Sequence, residues 1–526
     1  MEILVKMDIL ARNRETPLAA VSILEYNQSI RTSAGAFSQM PDMALIGTQR
    51  FVPKPVPGAP RAVKRANVSA ELFIIPTDDG KFIVYAPLRR AAFVANSALV
   101  DFIARLRETE IVDEVADPGG LVTDFLRNLE IVDGGDEPRP ITEFSGEPEP
   151  TAVTLFLTTA CNLRCAYCYA AAGDTPARFM SLNVAKHGID FVAASARRKR
   201  VPEIEITYHG GGEPTVHWKV MTESLAYARA LASRFGLAVK AYSATNGVMS
   251  ASQIDWVVQN LNGLSVSFDG LPSVHDEHRL TVLGRGSSGS VERFLRCLDA
   301  AGFPYGLRVT VTADHISRLS ESIRYICQSF RPRHVQVEPA YQLGRWHNAP
   351  SSETEAFIGA FRAAQLVAKS YGRSLFYSAA RLGGLTNHFC GVSQDSFALS
   401  PDGNVSACYE AFSEENPLSA WFFYGRPAGD GYRFDQAVLN NLRRQSVQHR
   451  EFCAGCFAKW TCAGDCYHKS LTVSGPGGFA GSDRCHIARE LTKDSILEKI
   501  AASGGLFWHE GALGQAGVSP RKEVLS

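Results

Sequence analysis

The stretch "AVTLFLTTACNLRCAYCY", residues 152–169, decides how this chain is read. It opens with an apolar run rich in strand-forming residues. It then enters a loop holding Cys161, Cys165 and Cys168, with Tyr167 just before the third thiol. Twelve cysteines are spread over 526 residues. At that density, two further cysteines fall at fixed offsets from a first about once in 2,000 placements. The loop is a built feature. Structural zinc takes four closed ligands, and an iron–sulfur cube also takes four, usually thiolates. Three thiols on one loop leave one iron of a cube open to donor atoms of another molecule.

Working outward, strands and helices alternate from Thr151. "AVTLFLTT", "EIEITYHG", "LAVKAYSATNG", "LSVSFDG", "YGLRVTVT" and "RHVQVEPA" predict six strands. "NVAKHGIDFVAASARR" and "MTESLAYARALASRFG" predict helices between them. Such alternation implies a parallel sheet, here a partial (β/α)6 barrel over residues 151–350 within an α/β fold. Active sites in such folds sit at the C-terminal strand ends, and each conspicuous polar cluster here follows a strand.

Ahead of the barrel, residues 1–68 form a poorly patterned arm, with the linker-like "FVPKPVPGAPRAVKRA" at 51–66. Residues 69–135 read as a small α+β, winged-helix-like module. "ELFIIP", a turn at Asp78-Asp79-Gly80, and "KFIVYAP" predict a hairpin. Asn96 predicts the cap of a helix burying Leu99, Phe102, Ile103 and Leu106. "GLVTDFLRNLEIV" predicts a second helix, and 134–150 a linker. Behind the barrel, a cysteine-rich region spans 380–490, and 491–526 reads as a helix that frays into a tail.

Formal net charge is zero, so no global field recruits nucleic acid or an anionic membrane. There is no apolar run of about 18 residues to span a bilayer. The N-terminus lacks the apolar core of a secretory signal. Twelve cysteines without an export signal point to a reducing, cytoplasmic compartment, where clustered thiols bind metal or do chemistry.

Cys161-x3-Cys165-x2-Cys168 after a strand resembles the signature of the radical S-adenosylmethionine (radical SAM) enzymes. The resemblance implies a [4Fe–4S] cluster whose open iron chelates the methionine moiety of S-adenosylmethionine. It implies reductive cleavage to a 5′-deoxyadenosyl radical, with Tyr167 beside the adenine. "HGGGEP" (209–214) resembles the family's glycine-rich segment, which makes Gly211, Gly212, Glu213 and Pro214 cofactor-binding candidates. "SFDG" (267–270) and "HDEHR" (275–279) resemble its ribose and carboxylate region, with Ser267 and Arg279, or Arg285, as candidates and Asn246 a weaker one. The plainer readings are a zinc knuckle for the loop and strand-end turns for the rest.

Cys390, Cys408, Cys453, Cys456, Cys462, Cys466 and Cys485 resemble, in order and spacing, the SPASM extension of radical SAM enzymes that mature peptides and proteins. By that resemblance Cys453, Cys456, Cys462 and Cys485 hold one auxiliary [4Fe–4S] cluster, and Cys390, Cys408 and Cys466 a second. The second lacks a fourth cysteine. His388 is one candidate for its place, and an iron left open is the other. Cys297 and Cys327 read as structural residues on apolar helical faces. In sulfatase-maturing relatives an aspartate follows the second auxiliary cysteine. Here Tyr409 stands there, and strand alternation would point Glu410 elsewhere.

Residues 71–133 resemble, by pattern, a peptide-recognition element to which a leader peptide adds as a strand. The implied function is oxidative cross-linking of a ribosomally made precursor peptide, with flavodoxin or ferredoxin as reductant. The alternatives are a protein maturase, of formylglycine or quinone-cofactor type, and a non-catalytic iron–sulfur or zinc scaffold.

Overall fold

The computed structural model describes residues 65–112, 116–347, 353–475 and 478–510. The chain divides into two compact units. One runs to Arg139 and takes in the stretch from Lys493, and the other runs from Pro140 to Thr492.

The first unit is a four-stranded antiparallel sheet with two helices. β1 (Phe73–Pro76) and β2 (Phe82–Ala86) make the expected hairpin, with Phe73 opposite Tyr85. β3 (Ala91–Ala95) pairs with β2. The sequence does not announce β3: all five of its residues are buried, and a strand covered on both faces has no period-two pattern. The helix Ser97–Thr109 starts at Asn96, whose side-chain oxygen accepts from the Leu99 N–H at 3.0 Å, as an N-cap does. Its buried residues are the four expected. The helix Leu121–Asn128 follows. The fourth strand comes from the far end of the sequence. Phe507–His509 pairs antiparallel with β3, and Phe507 sets its ring edge-on to Phe125 at 5.8 Å. The C-terminal stretch does not simply fray: the helix Asp483–Ala502 is followed by this strand. Residues 1–64 and 511–526, most of the expected arm and the end of the expected tail, lie outside the described residues. Ala66 and Ser69, inside the expected arm and just past it, already bond to Glu110 and Ile131 through backbone groups.

The second unit is built on an eleven-stranded sheet. Its strands, with one small pair beside it, are β4 (Ala152–Phe156), β5 (Leu163–Cys165), β6 (Glu203–His209), β7 (Ala238–Thr245), β8 (Gly263–Ser267), β9 (Arg279–Thr281), β10 (Tyr305–Val311), β11 (Val335–Pro339), β12 (Leu375–Phe376), β13 (Ala398–Leu399), β14 (Val405–Ser406), β15 (Phe423–Ala428) and β16 (Gly431–Phe434). The six expected strands lie side by side and parallel, in the order β4, β6, β7, β8, β10, β11. Helices between them cover the sheet. Leu182–Lys199 buries Ile189, Val192 and Ala196, and Trp218–Phe235 buries Met221, Leu225 and Ala228. This spacing makes an apolar stripe.

The cysteine-rich region does not stand apart from this sheet. β13 pairs parallel with β4, and β14, β15 and β16 continue it as antiparallel neighbours. Cys297 departs from expectation. The helix Ser288–Ala300 buries Val291, Phe294, Leu295 and Leu298, and Cys297 lies off that stripe and is exposed. Cys327 is half-buried against the core. No described helix is long and apolar enough to cross a membrane.

Candidate active site

β4 leads into the three-cysteine loop, and the loop is fixed from several sides. β5 pairs with β9 and sets Cys165 opposite Arg279. The Ala166 N–H donates to the His278 carbonyl at 2.8 Å. The Arg345 N–H donates to the Cys168 carbonyl at 3.0 Å, and its guanidinium donates to the carbonyls of Cys165 at 2.5 Å and Ala172 at 3.0 Å. Asp174 holds that guanidinium at 2.7 Å. Asn246 Nδ2 lies 2.7 Å from Asn162 Oδ1 and 3.7 Å from Cys161 Sγ.

The three cysteines line a cavity of about 390 Å³, the size of a small-molecule site. Gly211, Gly212, Glu213, Asn246, Ser267 and Arg279 line it too. Pro214 opens the short 3₁₀ turn that follows. A Cβ on Gly212 would stand 2.2 Å from the Ala160 carbonyl oxygen. Only glycine lets this loop close on the cysteine loop. Glu213 acts as a brace. Its carboxylate accepts from Thr215 Oγ1, Thr245 Oγ1 and the Asn246 N–H, each at 2.8 Å. Burial still raises its pKa against those bonds.

Tyr167 donates its hydroxyl proton to Asp269. The same carboxylate takes Arg279 Nε at 2.8 Å and the Thr310 N–H at 3.0 Å. Burial opposes its ionisation, yet Arg279 holds Asp269 below the usual carboxylate range. Of the two expected basic candidates, Arg279 lines the cavity and Arg285 is exposed.

Cys390, Cys408 and Cys466 line the same cavity. Burial pushes the Cys408 thiol well up, and the charges of Cys466 and Cys390 add to it. Cys462 is likewise raised by burial, and the charges of Cys485, Cys453 and Cys456 act on it. Cys453, Cys456, Cys462 and Cys485 do not line that cavity. His388 turns both nitrogens elsewhere, Nδ1 to Ser393 Oγ and Nε2 to the Thr142 carbonyl, each at 2.8 Å. Glu410 corrects an expectation. Residues 409 and 410 form a turn, not a strand, so alternation does not apply, and both line the cavity. Burial opposes the Glu410 charge, but Lys469 and His468 hold it ionised.

The donor sets fit clusters better than single ions. Burial raises Cys161 and Cys453 to about 12 and Cys165 to about 11. Such thiols ionise only beside added positive charge. Sulfurs on one tetrahedral zinc sit about 3.8 Å apart, given a Zn–S bond of about 2.3 Å. Among the described residues only His278, Asp314 and His315 bring three ligating atoms within 4.8 Å of one another. No three thiol sulfurs among the described residues come within 4.8 Å of one another, as they would on one zinc ion. Beside Cys453, Arg450 Nε and Nη2 are buried without a hydrogen-bond partner. Anionic sulfides are acceptors for such groups.

Sequence reasoning missed Arg345, Asp269, His209 and Arg308. Arg308 and Thr310 line the cavity, while Leu307, Val309 and Val311 between and around them are buried. A charge in a period-two strand was the available signal. The Gly210 N–H donates to His209 Nδ1 at 2.7 Å, and burial lowers this ring to about 3, so it is neutral with its proton on Nε2.

His275 predicts a pH effect. It accepts from the Asp269 N–H at 3.3 Å and lies 3.0 Å from Ser287 Oγ, and burial lowers it to about 4. Unfolded, the ring titrates near pH 6.5. Its folded pKa is depressed, so stability is full above that value and lost as pH falls toward 4. The expected loss is about 2 kcal/mol by pH 5. A His275→Asn chain should lose less melting temperature than the parent between pH 7 and 5. Equal slopes would contradict the assignment.

Fold and site together define an α/β enzyme of the radical SAM type. Residues 155–317 match the Radical SAM superfamily, so the chain carries a radical SAM domain. Such enzymes use a [4Fe–4S] cluster and S-adenosylmethionine. The chain is 26% identical over 372 residues to mycofactocin maturase MftC of Mycolicibacterium smegmatis, covering 64% of this chain and 85% of that one. It is 29% identical over 185 residues to Fe-coproporphyrin III synthase of Methanosarcina barkeri, covering 34% of this chain and 41% of that one. The fold matches native anSMEcpe with bound AdoMet at a TM-score of 0.55 and 16% identity, covering 67% of this chain and 99% of that chain. The same protein solved with AdoMet and the Cp18Cys peptide matches at a TM-score of 0.53 and 15% identity, covering 67% and 98%.

Proposed function

We propose that this enzyme matures a ribosomally made precursor peptide by closing an oxidative cross-link on core-peptide side chains. One observation carries the reading: Cys161, Cys165 and Cys168 share a single cavity with Cys390, Cys408 and Cys466. A peptide segment entering it meets both sites. The likeness to a mycofactocin maturase and the peptide-bound anSMEcpe fold support a peptide substrate.

In this reading Cys161, Cys165 and Cys168 hold the cofactor-binding cluster. Cys390, Cys408 and Cys466 hold one auxiliary cluster with an iron left open, and Cys453, Cys456, Cys462 and Cys485 the other, in a SPASM-type region. When bound, S-adenosylmethionine and the clusters supply a hydrogen-abstracting 5′-deoxyadenosyl radical and acceptors for the electrons that bond closure releases. Gly211 and Gly212 let backbone approach the cofactor, Glu213 and Pro214 hold that loop, and Tyr167, Ser267 and Arg279 contact the nucleoside and carboxylate. His209 Nε2–H and Arg308 orient substrate carbonyl and carboxylate groups. A flavodoxin or ferredoxin is the reductant. In the first unit β1 and Phe507–His509 are the two edge strands of the sheet, and β1, with Ile74 37% exposed, is the edge this reading assigns to a leader peptide.

The test is anaerobic incubation of the reconstituted chain with S-adenosylmethionine, reductant and candidate precursor peptides. The expected product is a peptide lighter by two hydrogens, about 2 Da, for each bond closed. A Cys408→Ala chain should still form 5′-deoxyadenosine but no modified peptide. Unchanged modification in that variant would remove the auxiliary site from the reaction. A second reading, oxidation of a protein cysteine or serine to formylglycine, draws support from Glu410, a carboxylate lining the cavity. A cysteine-bearing protein substrate in the same assay separates the two.

A further inference from the structure

Arg381 bonds to the carbonyl of Phe389, the residue before Cys390. The charges of both Cys462, from the group of four, and Cys390, from the group of three, act on it. Only one of its guanidinium nitrogens has a protein partner: Nη1 donates to the Phe389 carbonyl at 2.9 Å. Nε and Nη2 are buried and make no hydrogen bond. The Phe389 ring, 5.2 Å away, closes one side.

Leaving two charged N–H groups unsatisfied in a buried site costs several kcal/mol. Burial lowers the Arg381 pKa from the ordinary guanidinium value, and the neighbouring thiols, with the carboxylates of Glu338 and Asp465, pull it back up. A structural arginine would be paired with a carboxylate, as Arg484 is with Asp465 at 2.8 Å. Arg381 has no such partner among the described residues. Its free N–H groups need acceptors that are anionic, and thiols of both groups lie beside it.

We propose that Arg381 is a positioning residue shared by the two auxiliary iron–sulfur clusters, donating Nε and Nη2 to their sulfurs and setting both reduction potentials. The proposal rests on the three-cluster reading above. A hydrogen-bonded cation stabilises the more negative, reduced state of a cluster, so it raises the potential. Sharing one cation also makes the two centres respond together.

The experiment is a redox titration followed by electron paramagnetic resonance on the reconstituted holoenzyme, with iron counted per chain. Arg381→Met should keep about twelve irons and move both auxiliary potentials down, each by about tenfold in its reduction equilibrium, about 59 mV for one electron. The potential of the cluster at Cys161, Cys165 and Cys168 should not move. Arg381→Gln retains an N–H donor without the charge and should shift by less, and it stands in if the Met variant loses iron. Unmoved auxiliary potentials with about twelve irons would overturn the proposal and leave the three-cluster reading intact. A shift in one potential alone would overturn the sharing. About four irons in the parent chain would overturn the three-cluster reading itself, and this proposal with it.

Discussion

A Cys165→Ala chain is expected to form no 5′-deoxyadenosine above the protein-free background, and to lose about four of about twelve irons. Its fold should survive. Cys165 holds its place through backbone groups: it pairs with Arg279 across β5 and β9, and its carbonyl takes the Arg345 guanidinium. Alanine keeps all of these. What goes is one of three thiolates in a set that has no spare. Cys161 and Cys168 should behave alike. By contrast Cys297, exposed on its helix, should be replaceable by alanine without effect on either count. Anaerobic chromatography of the nucleoside product and colorimetric iron analysis check both. A Cys165→Ala chain that still cleaves the cofactor would remove the loop from the reaction and with it the functional account.

The six parallel strands were legible because each is short and bounded by turn residues, so the alternation with helices shows through. Both cysteine groups were legible because thiols are rare and their spacing is not. Other parts were hidden for physical reasons. β3 has no exposed face, so it carries no pattern. Phe507–His509 gains its strand character from pairing with β3, more than four hundred residues away in sequence, and three residues hold no periodicity of their own. Glu410 was misplaced because a strand rule was applied to a turn. Arg345 and Arg381 have no motif. Their roles come from which carbonyls and thiols the fold brings to them, and only the tertiary structure holds that information.

Asp269 shows how much of the site rests on a residue that no thiol pattern identifies. It is 2% exposed and carries a carboxylate shared by three partners: Arg279, Tyr167 and the Thr310 N–H. Arg279 is 6% exposed and sits opposite Cys165. Asp269→Ala therefore strands a buried guanidinium and a buried backbone N–H together. Removing one partner of such a pair costs about 3–5 kcal/mol. In a protein of this size that should appear as a fall of several degrees in melting temperature. Because β9 is the strand that holds Cys165 in place, the first cluster should also load poorly, while iron at the seven later cysteines stays. A double change, Asp269→Leu with Arg279→Met, removes both charges and should recover most of the stability, since two well-packed apolar groups carry no desolvation penalty. It should not recover cofactor cleavage if Arg279 also contacts the bound nucleotide. Recovery of both would reduce Arg279 to a structural residue. If Asp269→Ala is as stable as the parent, the ion pair does not hold the loop, and the order of the cysteine site must come from the β5–β9 pairing, Asn246 and Arg345 with Asp174.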